Sequence, residues 1–396
     1  MNHCKILVVV LVTLFISSES IAQDKPSGDF TLKVNAEERF FLQDGLYDGQ
    51  KRNYLSVAIQ PEYSLKWHDD KFLLKASLFG RIDQYDSRRT HADIRELYWQ
   101  MVQNNHELSI GIKKIFWGVT ESAHIVNVIN QTDIVENFDG EEKLGQPMIH
   151  YSYLSNIGTF DFFFMPYFRK PVYPGKHGRL RTPFVINDNM ISFESRREEY
   201  RPDVAFRWSH YVGKFDFGVS HFYGTSRQPL IESLENFQPV FAIINQTGID
   251  VQATTGPVLW KLESVYNTNN VLNYTSLAVG FEYTFSNLNG NGLDMGFLSE
   301  YLYDSRDELT FNSLQNDLFA GTRLAFNNAQ DTQVLAGAII DLEHSSLFLS
   351  LEASQRIKES WKVELEGRLF PHVSNEEFAY FIRSDSFIRL SVNKYF

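Results

Sequence analysis

The C-terminal stretch Ser386–Phe396, SFIRLSVNKYF, alternates between apolar and polar residues from Ile388 to Asn393. Successive side chains of a β-strand point to opposite faces, so this pattern predicts a strand with one apolar face. Chain ends are ordinarily polar and loosely ordered. An alternating segment that ends on an aromatic residue therefore predicts a last strand that is fastened into a larger sheet.

The same period-two pattern recurs along nearly the whole chain. The clearest examples are YLSVAIQPEYSLKW (54–67), HELSIGIKK (106–114), TFDFFFMPYF (159–168), KFDFGVSHFY (214–223) and WKVELEGRL (361–369). The third segment places Phe162, Phe164 and Phe168 on its apolar face. The segments run to about 10–14 residues, longer than the 5–6 residues of typical soluble strands. A tilted membrane-spanning strand needs about 9–11 residues, so these lengths favour a membrane sheet.

The spacing of these segments predicts the topology. Eighteen candidate strands begin near residues 28, 52, 71, 91, 106, 147, 158, 200, 213, 239, 256, 273, 291, 314, 331, 345, 360 and 381. Every second connection is short and rich in turn residues: HDD, NN, SNIG, VGK, TTG, NLNGNG, NNAQD and KES. The others include the long segments 117–146 and 169–199. We therefore predict an all-β fold, an antiparallel transmembrane β-barrel of about 18 strands with long third and fourth outer loops; 16 strands result if one bent strand is counted twice.

The N-terminal segment has the layout of a secretory signal peptide. Lys5 precedes the apolar run 6–16, and small residues lead to Gln23. That run is too short for a membrane helix, which needs about 20 residues. We expect cleavage near Ala22, which removes residues 1–22 together with the only cysteine, Cys4. Residues 23–396 then form a single barrel domain in the outer membrane of a Gram-negative cell.

The last strand must also pair with the first, because an open sheet edge in lipid leaves backbone groups without hydrogen bonds. A terminal aromatic such as Phe396 resembles the signal that barrels present to the barrel-assembly machinery. We expect this machinery, outer-membrane lipid and lipopolysaccharide as partners. The formal net charge of −12 argues against nucleic acid as a partner.

Aromatic residues fall near the predicted strand ends. They are Trp67, Tyr98, Trp99, Trp208, Tyr211, Trp260, Trp361 and Tyr395. Membrane barrels place such residues in girdles at the two membrane interfaces. A stacking track for sugars inside the barrel is the alternative interpretation.

Two stretches carry a family resemblance: GIKKIFWGVTESAHIVNVINQTD (111–133) and GIDVQATTGPVLWKLESVYN (248–267). They resemble porin-like outer-membrane proteins related to alginate-export channels. The matching positions are Gly111, Lys113, Trp117, Gly118, Asn127, Asn130 and Asp133. Gln131 and Thr132 stand where members of that group often have proline. The resemblance implies a passive channel, often with the third loop folded into the lumen.

The charges of the two long loops differ in sign. Segment 117–146 is acidic, segment 169–201 is mostly basic, and several strands carry inward-directed basic residues. We predict a constriction formed by Arg81, Arg95, Lys113 and Arg207 opposite Glu121, Asp133, Glu136 and Asp139. An acidic loop opposite a basic wall would create a transverse field that orients polar solutes. The alternative is that these charges are simply solvated or bind lipopolysaccharide phosphates.

These features favour a porin-like channel for passive diffusion of small hydrophilic or charged solutes. An export or transfer barrel for an anionic polysaccharide or lipid is the first alternative. An outer-membrane hydrolase is the second, since His150 and Ser152 share a face of one strand, as nucleophile activation requires. Ile149, Tyr151 and Tyr153 are the expected lipid-facing set there, which turns His150 and Ser152 into the lumen. Because zinc spacings, a phosphate loop and a cysteine nucleophile are lacking, we expect no enzyme activity, metal or cofactor.

Overall fold

The computed structural model describes residues 26–231, 238–288, 290–306 and 314–396, and the predicted signal peptide lies outside these residues. Eighteen long strands form one sheet in which every strand is hydrogen-bonded to two antiparallel neighbours. The sheet therefore closes on itself, and the predicted 18-strand barrel is confirmed. Within the described ranges, no helix has the length and apolar character needed to cross a membrane.

The barrel strands are β1 Ser27–Phe41, β2 Asn53–Trp67, β3 Phe72–Asp83, β4 His91–Gln103, β5 His106–Lys113, β6 Gln146–Ser155, β7 Gly158–Met165, β9 Asp203–Val212, β10 Phe215–Thr225, β13 Ile243–Thr255, β14 Val258–Thr268, β15 Tyr274–Leu288, β16 Leu293–Asp304, β17 Asn316–Ala325, β18 Gln333–Asp341, β19 Leu347–Ile357, β20 Trp361–His372 and β21 Phe387–Tyr395. A small separate sheet contains β8 Ser192–Phe193, β11 Leu230–Ile231 and β12 Pro239–Phe241. Three 3-10 helices cover Asp188–Met190, Glu198–Tyr200 and Phe378–Ile382.

The barrel closes between its first and last strands. β21 pairs with β1 from Lys33↔Tyr395 to Phe41↔Phe387. The N–H of Phe396 donates to the carbonyl of Leu32 at 3.0 Å, and Leu32 N–H donates back at 3.3 Å. The alternating C-terminal stretch is thus held at its last residue, and the described barrel has no open edge.

Short and long connections lie at opposite ends of the barrel. The eight short turns lie at the end that carries both ends of the described chain; their described residues are 68–71, 104–105, 156–157, 213–214, 256–257, 290–292, 326–332 and 358–360. Nine loops lie at the other end; their described residues are L1 (42–52), L2 (84–90), L3 (114–145), L4 (166–202), L5 (226–231 and 238–242), L6 (269–273), L7 (305–306 and 314–315), L8 (342–346) and L9 (373–386). L3 and L4 are the longest, as predicted.

The outer surface of the barrel is apolar. Val57 is 52% exposed and Ile59 50%, and Ile388 and Leu390 on the last strand are also exposed. Residues of the opposite parity on these strands, such as Ser56 and Ser391, are buried inside the barrel. Every second side chain therefore faces lipid and the others face the lumen, which is the arrangement of a membrane barrel.

A belt of aromatic residues surrounds the end with the short turns. Trp67, Trp208, Trp260 and Trp361 each lie within a few residues of a short turn. The prediction that Tyr98 belongs to this belt is wrong. Its side chain is buried inside the barrel, and the Lys113 ammonium lies 5.2 Å from its ring centre.

Three details of the strand prediction are wrong for physical reasons. The last strand begins at Phe387 rather than near residue 381, because Phe378–Ile382 forms a 3-10 helix. The strand expected from residue 239 begins at Ile243, because Pro239–Phe241 pairs with the small sheet instead. Phe168 does not face lipid: β7 ends at Met165, and Phe168 is buried in L4 against Phe193 and Phe241.

Candidate pore constriction

L3 runs through the interior of the barrel. Its first half packs Trp117, Val126 and Ile129 against inward-facing apolar residues of β6, β7, β9, β10, β13 and β14. These wall residues are Met148, Phe163, Met165, Ala205, Phe222, Ile244 and Val265. Because this packing fills one side of the lumen with apolar side chains, any water-filled passage must run on the other side of L3.

Two buried wall carboxylates hold the tip of L3. Glu263 on β14 accepts hydrogen bonds from the N–H groups of Val119 (2.6 Å), Thr120 (3.0 Å) and Val126 (3.1 Å), and from the Thr120 hydroxyl (2.7 Å). Glu300 on β16 binds the next two residues of the loop in the same way. Backbone N–H groups that point at a carboxylate form charge-assisted hydrogen bonds. The tip of L3 is therefore fixed to the far wall of the barrel.

Two of the predicted motif positions, Gly118 in L3 and Gly111 in β5, require glycine. Gly118 has φ +140°, and a Cβ there would lie 2.9 Å from Glu263 Oε1 and 3.0 Å from His124 Nδ1. Gly111 has φ +139°, and a Cβ would lie 2.2 Å from the carbonyl oxygen of Leu97 on β4. At both positions the backbone conformation favours glycine, and there is no space for a side chain.

Asn130 joins the beginning of L3 to its end. Its side-chain oxygen accepts from Ile115 N–H at 2.8 Å, and its amide donates to the carbonyls of Lys113 at 3.0 Å and Leu144 at 2.8 Å. Asn127 lacks such a role: its buried amide has no hydrogen-bond partner in the part of the chain that the structure describes. Of the two motif asparagines, Asn130 is the one that shapes the loop.

The acidic residues of L3 form ion pairs with the barrel wall. The pairs are Asp133–Arg95 at 2.6 Å, Glu136–Arg81 at 2.9 Å, Asp139–Arg368 at 3.1 Å and Glu121–Arg323 at 2.6 Å. The picture of separated charges facing each other across a gap is therefore wrong for these groups, because they touch. Their role as a constriction stays a prediction.

The other two basic residues of the predicted set pair with the wall. Arg207 makes two hydrogen bonds to Asp250, at 2.6 and 2.8 Å, and its guanidinium lies 5.3 Å from the Trp117 ring centre. Lys113 lies 3.3 Å from Glu107 Oε1 and 3.4 Å from His150 Nδ1. Both face the lumen, but neither binds an acidic residue of L3 in the described structure.

A cluster of charges that the sequence did not predict lies beside Arg81. Glu37 lies 2.8 Å from Arg89, 3.3 Å from Arg81 and 3.9 Å from Arg389, and Arg39 donates to the Glu136 carbonyl at 3.1 Å. Glu37, Arg39 and Arg389 alternate with outward-facing residues on β1 and β21, so this alternation could have placed them in the lumen. Arg89 could not be found in this way, since it belongs to L2 and reaches the cluster only because that loop folds inward.

A polar cavity of about 120 Å³ lies between the second half of L3 and the wall. Its ionisable lining residues are Lys33, Arg81, Arg95, Lys114, Arg389, Glu37, Glu136, Glu142 and Glu364. Five of these are basic and four acidic. The cavity beside L3 is thus strongly polar and carries both signs of charge.

L4 lies across the outer mouth above this cavity. The Arg179 side chain is buried and binds Asp385 of L9 at 2.7 Å, the Lys51 carbonyl of L1 at 2.9 Å and the Ser384 carbonyl at 2.8 Å. L4 also accepts a hydrogen bond from Tyr54 through the His177 carbonyl at 2.5 Å. These contacts place L4 over the sector formed by the first strands.

Burial and close charges shift the pKa values of several L3 groups. Burial would lower the pKa of His124, but the carboxylates of Glu141 and Glu263 beside it raise it to about 9. The hydrogen bond to His124 lowers the pKa of Glu141. Burial raises the pKa of Asp139 to about 6 and lowers that of Lys143 to about 8. The protonated His124 ring therefore forms an ion pair with Glu141, with His124 Nε2 3.1 Å from Glu141 Oε1. This ion pair, called the clasp below, joins the two halves of L3.

The candidate hydrolase residues do not form a catalytic pair. His150 faces the lumen as predicted, and Ile149 and Tyr151 are exposed on the outside. The ring nitrogens of His150 lie 2.8 Å from Asp161 Oδ1 and 3.4 Å from Lys113 Nζ. Neither nitrogen is therefore engaged with Ser152, as an activated hydroxyl requires.

The structure is similar to solved porin structures. Pseudomonas aeruginosa OccD3 (OpdP) aligns with a TM-score of 0.56 and 10% identity, over 93% of this chain and 91% of that chain. The fold is that of a porin-type β-barrel. A mutant of the Rh. blastica porin aligns with a TM-score of 0.46 and 10% identity, over 93% of this chain and 100% of that one. No protein-family model and no curated protein matches the sequence.

Proposed function

We propose that the protein is a channel for passive diffusion of small hydrophilic or charged solutes across the outer membrane of a Gram-negative cell. The observation that carries this proposal is the path of L3, which crosses a closed barrel and leaves a polar cavity beside Arg81, Arg95 and Glu136. Loops and rings of charge that narrow an aqueous lumen filter solutes by size and charge. The apolar outer face and the aromatic belt agree with a membrane location.

The mixed charge of the passage favours small solutes over a polyanion. A barrel that exports an anionic polysaccharide would be expected to carry one dominant charge sign along its lumen, whereas the cavity lining has five basic and four acidic residues. The relation to alginate-export-type channels remains a proposal that rests on the motif positions of L3. It is supported by the structural roles of Gly111, Gly118 and Asn130.

The proposal extends to export and assembly. Cleavage near Ala22 would deliver residues 23–396 to the periplasm. Phe396 is 67% exposed at the outer side of the closing seam, where the barrel-assembly machinery could bind it. Outer-membrane lipid and lipopolysaccharide would then surround the apolar face and the outer loops.

Planar-bilayer recording of the purified protein tests the channel. We expect ohmic conductance steps, and a silent membrane at high protein density would contradict the proposal. The double variant Asp133→Asn, Glu136→Gln leaves Arg81 and Arg95 without their loop partners. Two unit charges about 4 Å apart in water interact with an energy of about 1 kcal/mol. We therefore expect the anion-to-cation permeability ratio to rise by about twofold to fivefold.

The matched control is Glu359→Gln, which removes one negative charge from an exposed residue of a short turn. Its reversal potential in a salt gradient should equal that of the unchanged protein. If the double variant also leaves the reversal potential unchanged, ions do not pass beside Asp133 and Glu136, and the proposed constriction is wrong.

A further inference from the structure

A second cluster of acidic groups lies at the outer rim, at the ends of β17 and β18. Asp317 at the start of β17 and Asp341 at the end of β18 are direct partners in the sheet. Glu377 of L9 immediately precedes the 3-10 helix Phe378–Ile382 and approaches them from above. The three residues are 1%, 7% and 4% exposed, respectively.

These carboxyl groups have no lysine or arginine partner among the described residues. Asp341 accepts backbone N–H groups of L8, from Glu343 at 2.7 Å and His344 at 3.0 Å, and the His344 ring lies close enough to act on its charge. One side-chain oxygen of Asp317 is buried without a hydrogen-bond donor. The Ser346 hydroxyl beside Glu377 favours the ionised form of that carboxyl, but burial outweighs this effect. The nearest histidine, His344, points its ring to Glu376 Oε2 at 3.2 Å.

Three buried carboxylates cannot all be ionised without compensation, because burial and like charges both penalise the charged form. The carboxyl groups of Glu377 and Asp341 are in contact. Two carboxylates both lack a donor hydrogen, so this contact becomes a hydrogen bond only when one of them holds a proton. Burial raises the pKa of Glu377 to about 8, and the nearby charges of Asp341 and Asp317 act in the same direction.

We propose that L9 is a proton-dependent latch, in which protonated Glu377 donates a hydrogen bond to Asp341 and holds L9 on the outer ends of β17 and β18. Ionisation of Glu377 replaces that bond with repulsion from Asp341 and Asp317, and the turn 374–377 leaves the rim. Within this turn, Ser374 N–H donates to Ser346 Oγ at 2.9 Å. On either side of the turn, Val373 and Ala379 stay packed in an apolar cluster with Phe370.

The release is confined to one part of L9. Its other end stays attached, because Arg179 of L4 binds Asp385 and the Ser384 carbonyl. The latch is a property separate from the proposed channel function, and it does not require the protein to conduct ions. It can therefore be tested by a structural measurement whatever the bilayer recordings show.

The direction of the pH dependence follows from the raised pKa of Glu377. The folded-state pKa lies above the ordinary value of 4.5, so the protonated latch is present at low pH and is lost as pH rises through about 8. An environment-sensitive fluorophore on Asn375→Cys, an exposed position of L9, reports this release. Cys4→Ser leaves that label site as the only cysteine.

Titration of the labelled protein in detergent from about pH 6 to about pH 10 should show a transition with a midpoint near pH 8. Glu377→Gln should abolish the transition, because the amide donates a hydrogen bond at every pH. Asp341→Asn should move the midpoint to lower pH by removing a neighbouring charge. Glu376→Gln, the exposed neighbour, should retain the transition.

Two results would overturn the latch. One is a flat titration of the unchanged protein, or a transition that persists in Glu377→Gln. The other is a loop that CaCl₂ keeps closed at about pH 10 and that EDTA opens at about pH 6, which would assign the cluster to a divalent cation instead of a proton. Heat-dependent gel mobility of each variant verifies that the barrel has folded.

Discussion

At the scale of single residues, two wall carboxylates decide where L3 lies. Glu263 and Glu300 are 0% and 1% exposed, and an unpaired charge at such a depth costs several kcal/mol. The N–H and hydroxyl donors of L3 offset that cost. Neither residue carries obvious chemistry in the sequence, yet both determine the shape of the lumen.

Glu263→Gln tests this role. The amide offers one acceptor oxygen and places a donor against a loop N–H group, so we expect the docked position of L3 to lose about 1.5–3 kcal/mol. Bilayer recording should then show larger and noisier single-channel conductance. Glu282→Gln is the matched control, since Glu282 faces the same lumen but pairs, among the described residues, with Lys261 and Arg323 at 3.9 and 3.5 Å. Equal conductance in the two variants would mean that Glu263 does not hold L3.

At the scale of elements, L3 is a loop with two different halves. The first half is apolar and packs on the wall, whereas the second half is acidic and pairs with arginines. The clasp between His124 and Glu141 joins the halves where they pass each other. Removal of the clasp should therefore loosen L3 without unfolding the strands.

The clasp should depend on pH. Because the pKa of His124 is raised from 6.5 to about 9, its contribution is complete below about pH 6.5 and is lost as pH rises through about 9. Above that pH we expect more frequent conductance fluctuations in bilayer recordings. His124→Gln should show these fluctuations at neutral pH and little further change at high pH. A His124→Gln channel that still responds near pH 9 would assign the response to another group, such as Lys143, whose pKa is about 8.

At the scale of the whole molecule, the barrel depends on a water-filled or polar inside and an apolar outside. β19 illustrates this division: Leu351 is exposed on the outer face, while Glu352 pairs with Arg368 inside. The sheet closes only because β21 pairs with β1, which lies more than 350 residues away in the chain. Lipid exposure of one face and closure of the edge are thus conditions for the entire fold.

Leu351→Arg tests the lipid-facing side. A charge on the lipid face near the middle of the membrane costs about 2–4 kcal/mol, and urea titration of the protein folded into lipid vesicles should show this loss. Ser354→Arg is the matched control, because it adds the same side chain to the inner face opposite Glu364. If both variants are equally stable, Leu351 does not contact lipid and the membrane assignment of this face is wrong.

The sequence by itself determined that long amphipathic strands form an antiparallel barrel, with the short turns at one end and the long loops at the other, and it left 16 or 18 strands open. Alternation and turn composition are local properties, so one chain segment is enough to read them. Only the tertiary structure decided that L3 crosses the lumen, that Glu263 receives its tip and that Phe168 is buried in L4 rather than exposed to lipid. The reason is that loop paths depend on partners far apart in sequence: Val119 and Glu263 are separated by 144 residues, and the closed barrel alone brings them together.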